Sequence, residues 1–235
     1  MKIVIDPHYQ DHADFIGSIP RLLDNGEAEM VYDKRNQVAR VRHQGVTMMV
    51  KRFKRVNVVQ RVAYTFFRRT KAERAYLFAE EYRQRGIETP QRVAYMECRE
   101  CGLFTVGYFV SEEAAGTECH LLLRDVKEFE TRLADAVAAQ VLLMHSKGVL
   151  HGDLNLSNFL CTSDGNGYHF TMIDINRSRF TTGMPSDDDC LKNLVRLTHR
   201  RDLYEYLVCS YARQRGWDEE TTAARAIQLL NKFEH

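Results

Sequence analysis

Apolar positions in the first half of the chain recur mainly at strand spacing, and those in the second half mainly at helix spacing. Residues 10–24 read as a short helical region that stops before the Asn25-Gly26 turn signal. Met30, Tyr32 and Val38 then alternate loosely around a polar Asp33-Lys34-Arg35-Asn36 segment. Gly45 interrupts the run, and Val46-Thr47-Met48-Met49-Val50 follows, rich in strand formers. Two or three antiparallel strands are expected here, with turns near 34–36 and 44–45. Thr70 and Glu73 stand at the two positions of a capping box, and a helix is expected from there through Tyr76, Leu77 and Phe78 to about Arg85, where Gly86 stops it. Residues 93–95 and 103–110 form strand patterns around a turn at 98–102.

Further on, 117–125 begins a short helix and 127–146 a longer one, with Leu133, Val137, Val141 and Met144 on one face and Gly148 as its left-handed cap. Short strands are expected at 159–161 and 169–173, and helices at 191–197, 202–213 and 219–233. Strands with one helix, followed by mostly helices with a small strand pair, predict an α+β protein of two lobes. The N-lobe would cover about 1–112 and the C-lobe about 113–235, within one domain.

Composition narrows the function classes. Apolar residues make up 44% of the chain, charged residues 28%, and the formal net charge is +1, as in an ordinary soluble globular protein with no global pull toward nucleic acid. No apolar stretch reaches the ~18 residues a membrane span needs, and the N-terminus turns polar too soon for a signal peptide, so a cytoplasmic location is expected. The Cys98-Arg99-Glu100-Cys101 pair has no zinc-spaced companion and reads as two reduced thiols at a hairpin turn.

The strongest chemical signal is His151-Gly152-Asp153-Leu154-Asn155-Leu156-Ser157-Asn158, bracketed by apolar residues. This is the H-x-D-x-x-x-x-N spacing of a kinase catalytic loop. There an Asp orients or accepts the proton of an attacking hydroxyl, and an Asn five positions on turns back toward a divalent ion on the phosphates. Sixteen residues after Asn158, the apolar run Thr171-Met172-Ile173 delivers Asp174, where a kinase keeps its metal-binding carboxylate. The usual D-F-G appears as Asp174-Ile175-Asn176, and Asn in place of Gly argues against a mobile switch. Met49-Val50-Lys51 fits the strand Lys that neutralises nucleotide phosphates.

With these motifs the chain resembles the lipopolysaccharide kinases, which phosphorylate heptose or Kdo sugars of the inner core and have a protein-kinase-like fold. The resemblance runs from about residue 25 to 200. Among the stretches that carry it are Tyr32-Asp33-Lys34-Arg35-Asn36, Val50-Lys51-Arg52-Phe53-Lys54, Gly86-Ile87-Glu88-Thr89-Pro90, His151-Gly152-Asp153, Ile173-Asp174-Ile175-Asn176-Arg177 and Asn193-Leu194-Val195-Arg196-Leu197.

The resemblance implies a bilobal kinase-like fold with a reduced C-lobe, and ATP and Mg2+ as cosubstrate and cofactor. It implies Asp153 as the catalytic base, Asn158 and Asp174 as magnesium ligands, and Lys51 on the ATP phosphates. His151 would support the loop more than touch substrate. Two departures are visible. Leu77 stands where the acidic partner of the strand Lys is expected, which leaves Glu73 as the favoured substitute over Glu80 and Glu81. No G-x-G-x-x-G is present, so the turn with Arg35 and Asn36 would meet the phosphates.

The implied activity is ATP-dependent phosphorylation of a sugar hydroxyl on the lipopolysaccharide core. The rivals are a kinase of protein or small-molecule hydroxyls, a nucleotide-binding pseudokinase and a plain structural α+β protein. The absence of an A-P-E anchor between Asp174 and Asn193 argues against a protein substrate. Residues 51–74 are basic and interleaved with Phe53, Tyr64, Phe66 and Phe67. They read evenly as a solvated face or as a surface for anionic headgroups at the inner face of the inner membrane.

Overall fold

The computed structural model describes residues 1–34, 36–53 and 56–234, and divides into two compact units. The first unit comprises 1–83 and 90–114. It contains β1 (Lys2–Ile5), α1 (Ala13–Asp24), β2 (Glu29–Asp33), β3 (Gln37–His43), β4 (Val46–Arg52), α2 (Val58–Phe66), α3 (Lys71–Gln84, whose last residue falls in the second unit), β5 (Arg92–Glu100) and β6 (Leu103–Glu112). The strands form one antiparallel sheet in the order β1-β5-β6-β4-β3-β2.

Both faces of this sheet are covered, which is why β5 and β6 read as nearly continuous apolar runs. Ile16, Ile19 and Leu23 of α1 pack with Met48, Val50, Met96 and Val110 on one face. Ala72, Ala75 and Tyr76 of α3 pack with Phe53 and Tyr95 on the other. Gly107 lets α3 approach closely, since a Cβ there would lie 3.0 Å from Ala72 Cβ. Directly opposed residues in an antiparallel sheet share a face. The row Val4, Tyr95, Phe109, Lys51 therefore lies on the α3 side.

The second unit comprises 84–89 and 115–234. It contains β7 (Thr117–Glu118), α4 (Thr131–Ser146), β8 (Val149–Leu150), β9 (Phe159–Asp164), β10 (Gly167–Met172), β11 (Arg179–Phe180), α5 (Asp187–Leu194), α6 (Arg201–Arg215) and α7 (Glu219–Glu234). Two small antiparallel sheets, β10-β9-β7 and β11-β8, accompany the four helices. Leu133, Val137, Val141 and Met144 are the buried face of α4, as their spacing predicts. Gly148, at φ 71°, follows the α4 cap.

Three expectations are corrected. β1 and α2 are elements the apolar pattern does not announce, so the first unit holds more than one helix. The 117–125 segment opens as a short strand and becomes helical only over His120–Arg124, and α4 starts at Thr131 rather than near 127. The strand signal of β-branched Val58, Val59 and Val62 hides α2, and β1 is only four residues long. Arg35, proposed from sequence to meet phosphates, lies outside the described residues.

Candidate active site

Two strand pairings in the second unit bring the sequence motifs together. The β9–β10 hairpin pairs Phe159 with Met172, and one step further Ile173 N donates to Asn158 O at 3.0 Å. Asn158 and Asp174 therefore leave the same end of one hairpin. The β8–β11 pair sets Leu150 opposite Arg179, which lays the 151–153 segment beside 177–178. A Cβ on Gly152 would overlap the carbonyl of Arg177, so only glycine fits that approach.

His151 is completely buried and both ring nitrogens are used. Its Nδ1 accepts from Asp153 N at 3.1 Å, so the proton sits on Nε2, which donates to Ile173 O at 3.0 Å. Burial lowers its pKa, and the ring is neutral. His151 thereby ties the Asp153 loop to the Asp174 strand and is a positioning residue. Asn158 closes the loop from the other side, its Nδ2 donating to Asp153 O at 2.7 Å while its amide oxygen remains an acceptor. Asp174 has φ 54° and ψ 40°, a left-handed conformation uncommon outside glycine but tolerated by Asp. Buried Asn176 donates to its Oδ1 at 2.6 Å.

A second buried layer lies behind the loop, and sequence patterning did not reveal its role. Asn193 Nδ2 donates to His151 O at 2.8 Å. Its Oδ1 takes the Nε2 proton of His145 at 3.1 Å, and His145 Nδ1 takes the Tyr211 hydroxyl proton at 2.8 Å. Arg215 Nη1 donates to that same hydroxyl at 2.8 Å. Burial pushes His145 down to about 4. Every donor in this chain points the same way, from α6 through α4 and α5 to the catalytic-type loop. The signals available in sequence were a histidine next to the apolar face of α4 and the Asn193 stretch shared with the resembled family.

Asp153 and Asp174 are both partly exposed, and Asp153 has Arg177 and Arg196 each 3.8 Å from one of its oxygens. Asn158 and Asp174 can offer a cation one amide oxygen and a carboxylate. Among the described residues no group of three His, Cys, Asp or Glu side chains could hold a metal alone. Such a sparse oxygen set suits a magnesium ion that takes its other ligands from nucleotide phosphates and water.

In the first unit, Lys51 is half-buried, with Nζ 5.6 Å from the Phe53 ring centre on the α3 side of the sheet. Thr70 Oγ1 accepts from Glu73 N at 3.1 Å, as the capping pattern predicts. The Glu73 carboxylate lies 3.9 Å from Lys2 Nζ, and Glu80 lies 3.3 Å from Arg92 Nη2. Both carboxylates thus lean toward β1 and the start of β5. At ~100° per residue, Glu81 is turned away from that flank.

The sequence matches the model of the lipopolysaccharide kinase (Kdo/WaaP) family over residues 26–231. The chain belongs to this family. As a member of the Kdo/WaaP family it is a kinase, and the family implies ATP use. The fold agrees. The structure of WaaP in complex with acyl carrier protein is similar over 100% of both chains, with TM-score 0.64 and 18% identity. The Rio2 kinase–ADP/Mg2+–phosphoaspartate complex from Chaetomium thermophilum is similar over 92% of this chain and 66% of that one, with TM-score 0.52 and 13% identity. No curated protein matches the sequence. Among the described residues of this Kdo/WaaP family member, no helix is long and apolar enough to cross a membrane.

Proposed function

We propose that this kinase transfers the γ-phosphoryl group of ATP to a sugar hydroxyl, on heptose or Kdo, of the lipopolysaccharide inner core. The observation that carries the reading is the convergence of Asp153, Asn158 and Asp174 through the His151 bonds and the β9–β10 hairpin, inside a family defined by lipopolysaccharide kinases. Magnesium-bound ATP supplies the transferable group and spreads its charge. Asp153 orients the acceptor hydroxyl and takes its proton. Asn158 and Asp174 hold the cation, with Asp174 kept in its left-handed pose by Asn176. Lys51 neutralises nucleotide phosphates and the turn that includes Asn36 meets them with N–H donors, with Arg35 a further candidate donor. Glu73 is the favoured acidic partner of Lys51, with Glu80 and Glu81 as alternatives, although its carboxylate also lies 3.9 Å from Lys2 Nζ.

Catalysis in this reading is positioning and charge neutralisation. Asp153→Ala is expected to abolish phosphorylation of a purified core acceptor while leaving the ATP-induced rise in melting temperature in place. Turnover at the wild-type rate would refute the assignment.

The acceptor is lipid-linked in this reading, and α2 supports a membrane-facing partner. Its apolar face looks outward: Val59 is 78% exposed and Phe67, just beyond the helix, 80%, with Val58, Val62 and Phe66 beside them. Its polar side packs inward, where Arg61 donates to the carbonyls of Phe104 and Glu100 and Thr65 accepts from Phe104 N. Exposed Arg68 and Arg69 flank the apolar face, a pairing that fits an anionic lipid surface. Vesicles containing an anionic lipid should co-sediment the protein, and Val59→Asp with Phe66→Ser should release it. Equal sedimentation of the variant, or capture by acyl carrier protein in place of vesicles, would overturn this.

A further inference from the structure

Two guanidinium groups reach the Asp153 carboxylate from separate parts of the chain. Arg177 Nη1 lies 3.8 Å from Oδ2 and Arg196 Nη1 lies 3.8 Å from Oδ1. Both separations are beyond hydrogen-bonding distance. Among the described residues neither guanidinium makes a hydrogen bond or has a second ion-pair partner. The Arg177 and Arg196 side chains are 47% and 39% exposed, against 34% for Asp153. Yet each is anchored at its base. The Arg177 backbone is pressed onto Gly152, and Ser178 N donates to Ile175 O at 3.0 Å. Arg196 follows the α5 cap, three residues beyond Asn193, which is bonded to His151 O, and its guanidinium lies 4.8 Å from the Phe233 ring centre.

With Asp174 committed to the cation in the proposed reading, the charge left at Asp153 is uneven. Asp153 contributes one negative charge and the two arginines two positive charges, each with donors in a planar fork suited to an oxyanion. A hydroxyl that surrenders its proton to Asp153 must sit against this carboxylate. A substituent on the neighbouring sugar carbons then falls within reach of the forks.

We propose that Arg177 and Arg196 form an anion-binding pair that selects acceptors carrying a carboxylate or phosphate beside the reacting hydroxyl. This rests on Asp153 acting as the proton acceptor of a sugar kinase. A neutral sugar leaves the excess positive charge facing water, whereas an anionic one is held by charge-assisted bonds and oriented on Asp153.

The test uses the full chain with ATP, magnesium and two matched acceptor pairs. One pair is a 3-deoxy-ulosonic acid glycoside and its carboxamide. The other is a phosphorylated heptoside and its dephosphorylated form. Wild-type kcat/KM should favour the charged member of one pair by about 10- to 100-fold, and the pair that responds tells carboxylate from phosphate. In Arg177→Gln and Arg196→Gln the acceptor KM should rise and the preference should collapse to within about threefold. Their KM for ATP and their ADP–magnesium melting shift should stay at the wild-type value, which also verifies folding. Arg→Lys at either site should restore part of the preference, since it keeps the charge and loses the fork.

Equal wild-type turnover of charged and neutral acceptors would overturn the proposal and leave the sugar-kinase reading standing. A raised KM for ATP in the variants would also overturn it, by assigning the pair to the nucleotide. No turnover of any acceptor by the wild-type protein would overturn the kinase reading, and this proposal with it.

Discussion

Acid should destabilise this protein through a histidine that lies two hydrogen bonds behind the catalytic-type loop. His145 is fully buried between Tyr211 and Asn193, and its pKa falls from 6.5 to about 4, first because burial penalises the charged ring. The Asn193 bond opposes that fall, and the nearby Arg215 charge assists it. The unfolded chain therefore binds a proton at pH values where the folded chain does not. Stability is present in full above about pH 6.5 and is lost as pH falls toward 4. A gap of this size corresponds to about 3 kcal/mol in total, of which about 2 kcal/mol is gone at pH 5. His151, also buried and lowered, contributes with the same sign, so the comparison needs a variant of His145 alone.

His145→Gln can still donate toward Asn193 but cannot titrate. It should start less stable at pH 8 and then lose less stability on acidification. Urea unfolding followed by circular dichroism from pH 8 to 5, with the slope on urea checked for constancy, measures this directly. The wild-type curve should fall more steeply than the variant's between pH 6.5 and 5, closing the gap by about 2 kcal/mol. Parallel curves would refute the claim that His145 is held neutral.

Two further substitutions probe the site itself. Asp174→Asn keeps a residue that tolerates the left-handed conformation but removes the charge. It should lose the magnesium-dependent part of ATP stabilisation, about 2.7 kcal/mol at 100-fold excess over Kd, as read by thermal shift with and without magnesium. Gly152→Ala must displace the Arg177 carbonyl. It should cost about 1–3 kcal/mol in urea unfolding and lower kcat more than that loss alone explains, because the two segments forced apart carry Asp153, next to Gly152, and Arg177.

What the sequence made legible was mostly what is local. The capping of α3 by Thr70, the buried face of α4 and the β9–β10 hairpin each depend on residues close along the chain, and all three form. The motif spacing is local too: Asn158 and Asp174 leave one end of the hairpin because the antiparallel pair between them, Phe159–Met172, spans only 14 residues. The Asn193–His151 and Tyr211–His145 bonds join positions 42 and 66 apart, and no local pattern encodes such contacts. Which α3 carboxylate pairs with Lys51 is not legible in the sequence for a related reason. Successive residues of α3 point ~100° apart, and only packing against β1 and β5 reveals that Glu73 and Glu80 share a flank.

The buried scaffold and the exposed reactive groups divide along a line of charge. Buried His145, His151 and Tyr211 and half-buried Asn193 and Asn158 hold the loop with neutral hydrogen bonds, the charged Arg215 at the far end of the chain being paired with Asp187, while Asp153, Asp174, Arg177 and Arg196 keep part of their surface in water. Burying ions behind the loop would carry a desolvation cost that pairing seldom recovers, whereas satisfied neutral dipoles do not. The arrangement therefore fixes the Asp153 backbone without committing its carboxylate to a close protein partner. Both arginines stop short of hydrogen bonding to it. A carboxylate already locked into two such bonds would be a poor proton acceptor. One held by its backbone and only approached by cations stays available to a hydroxyl, and the cations stay available to whatever anion accompanies that hydroxyl.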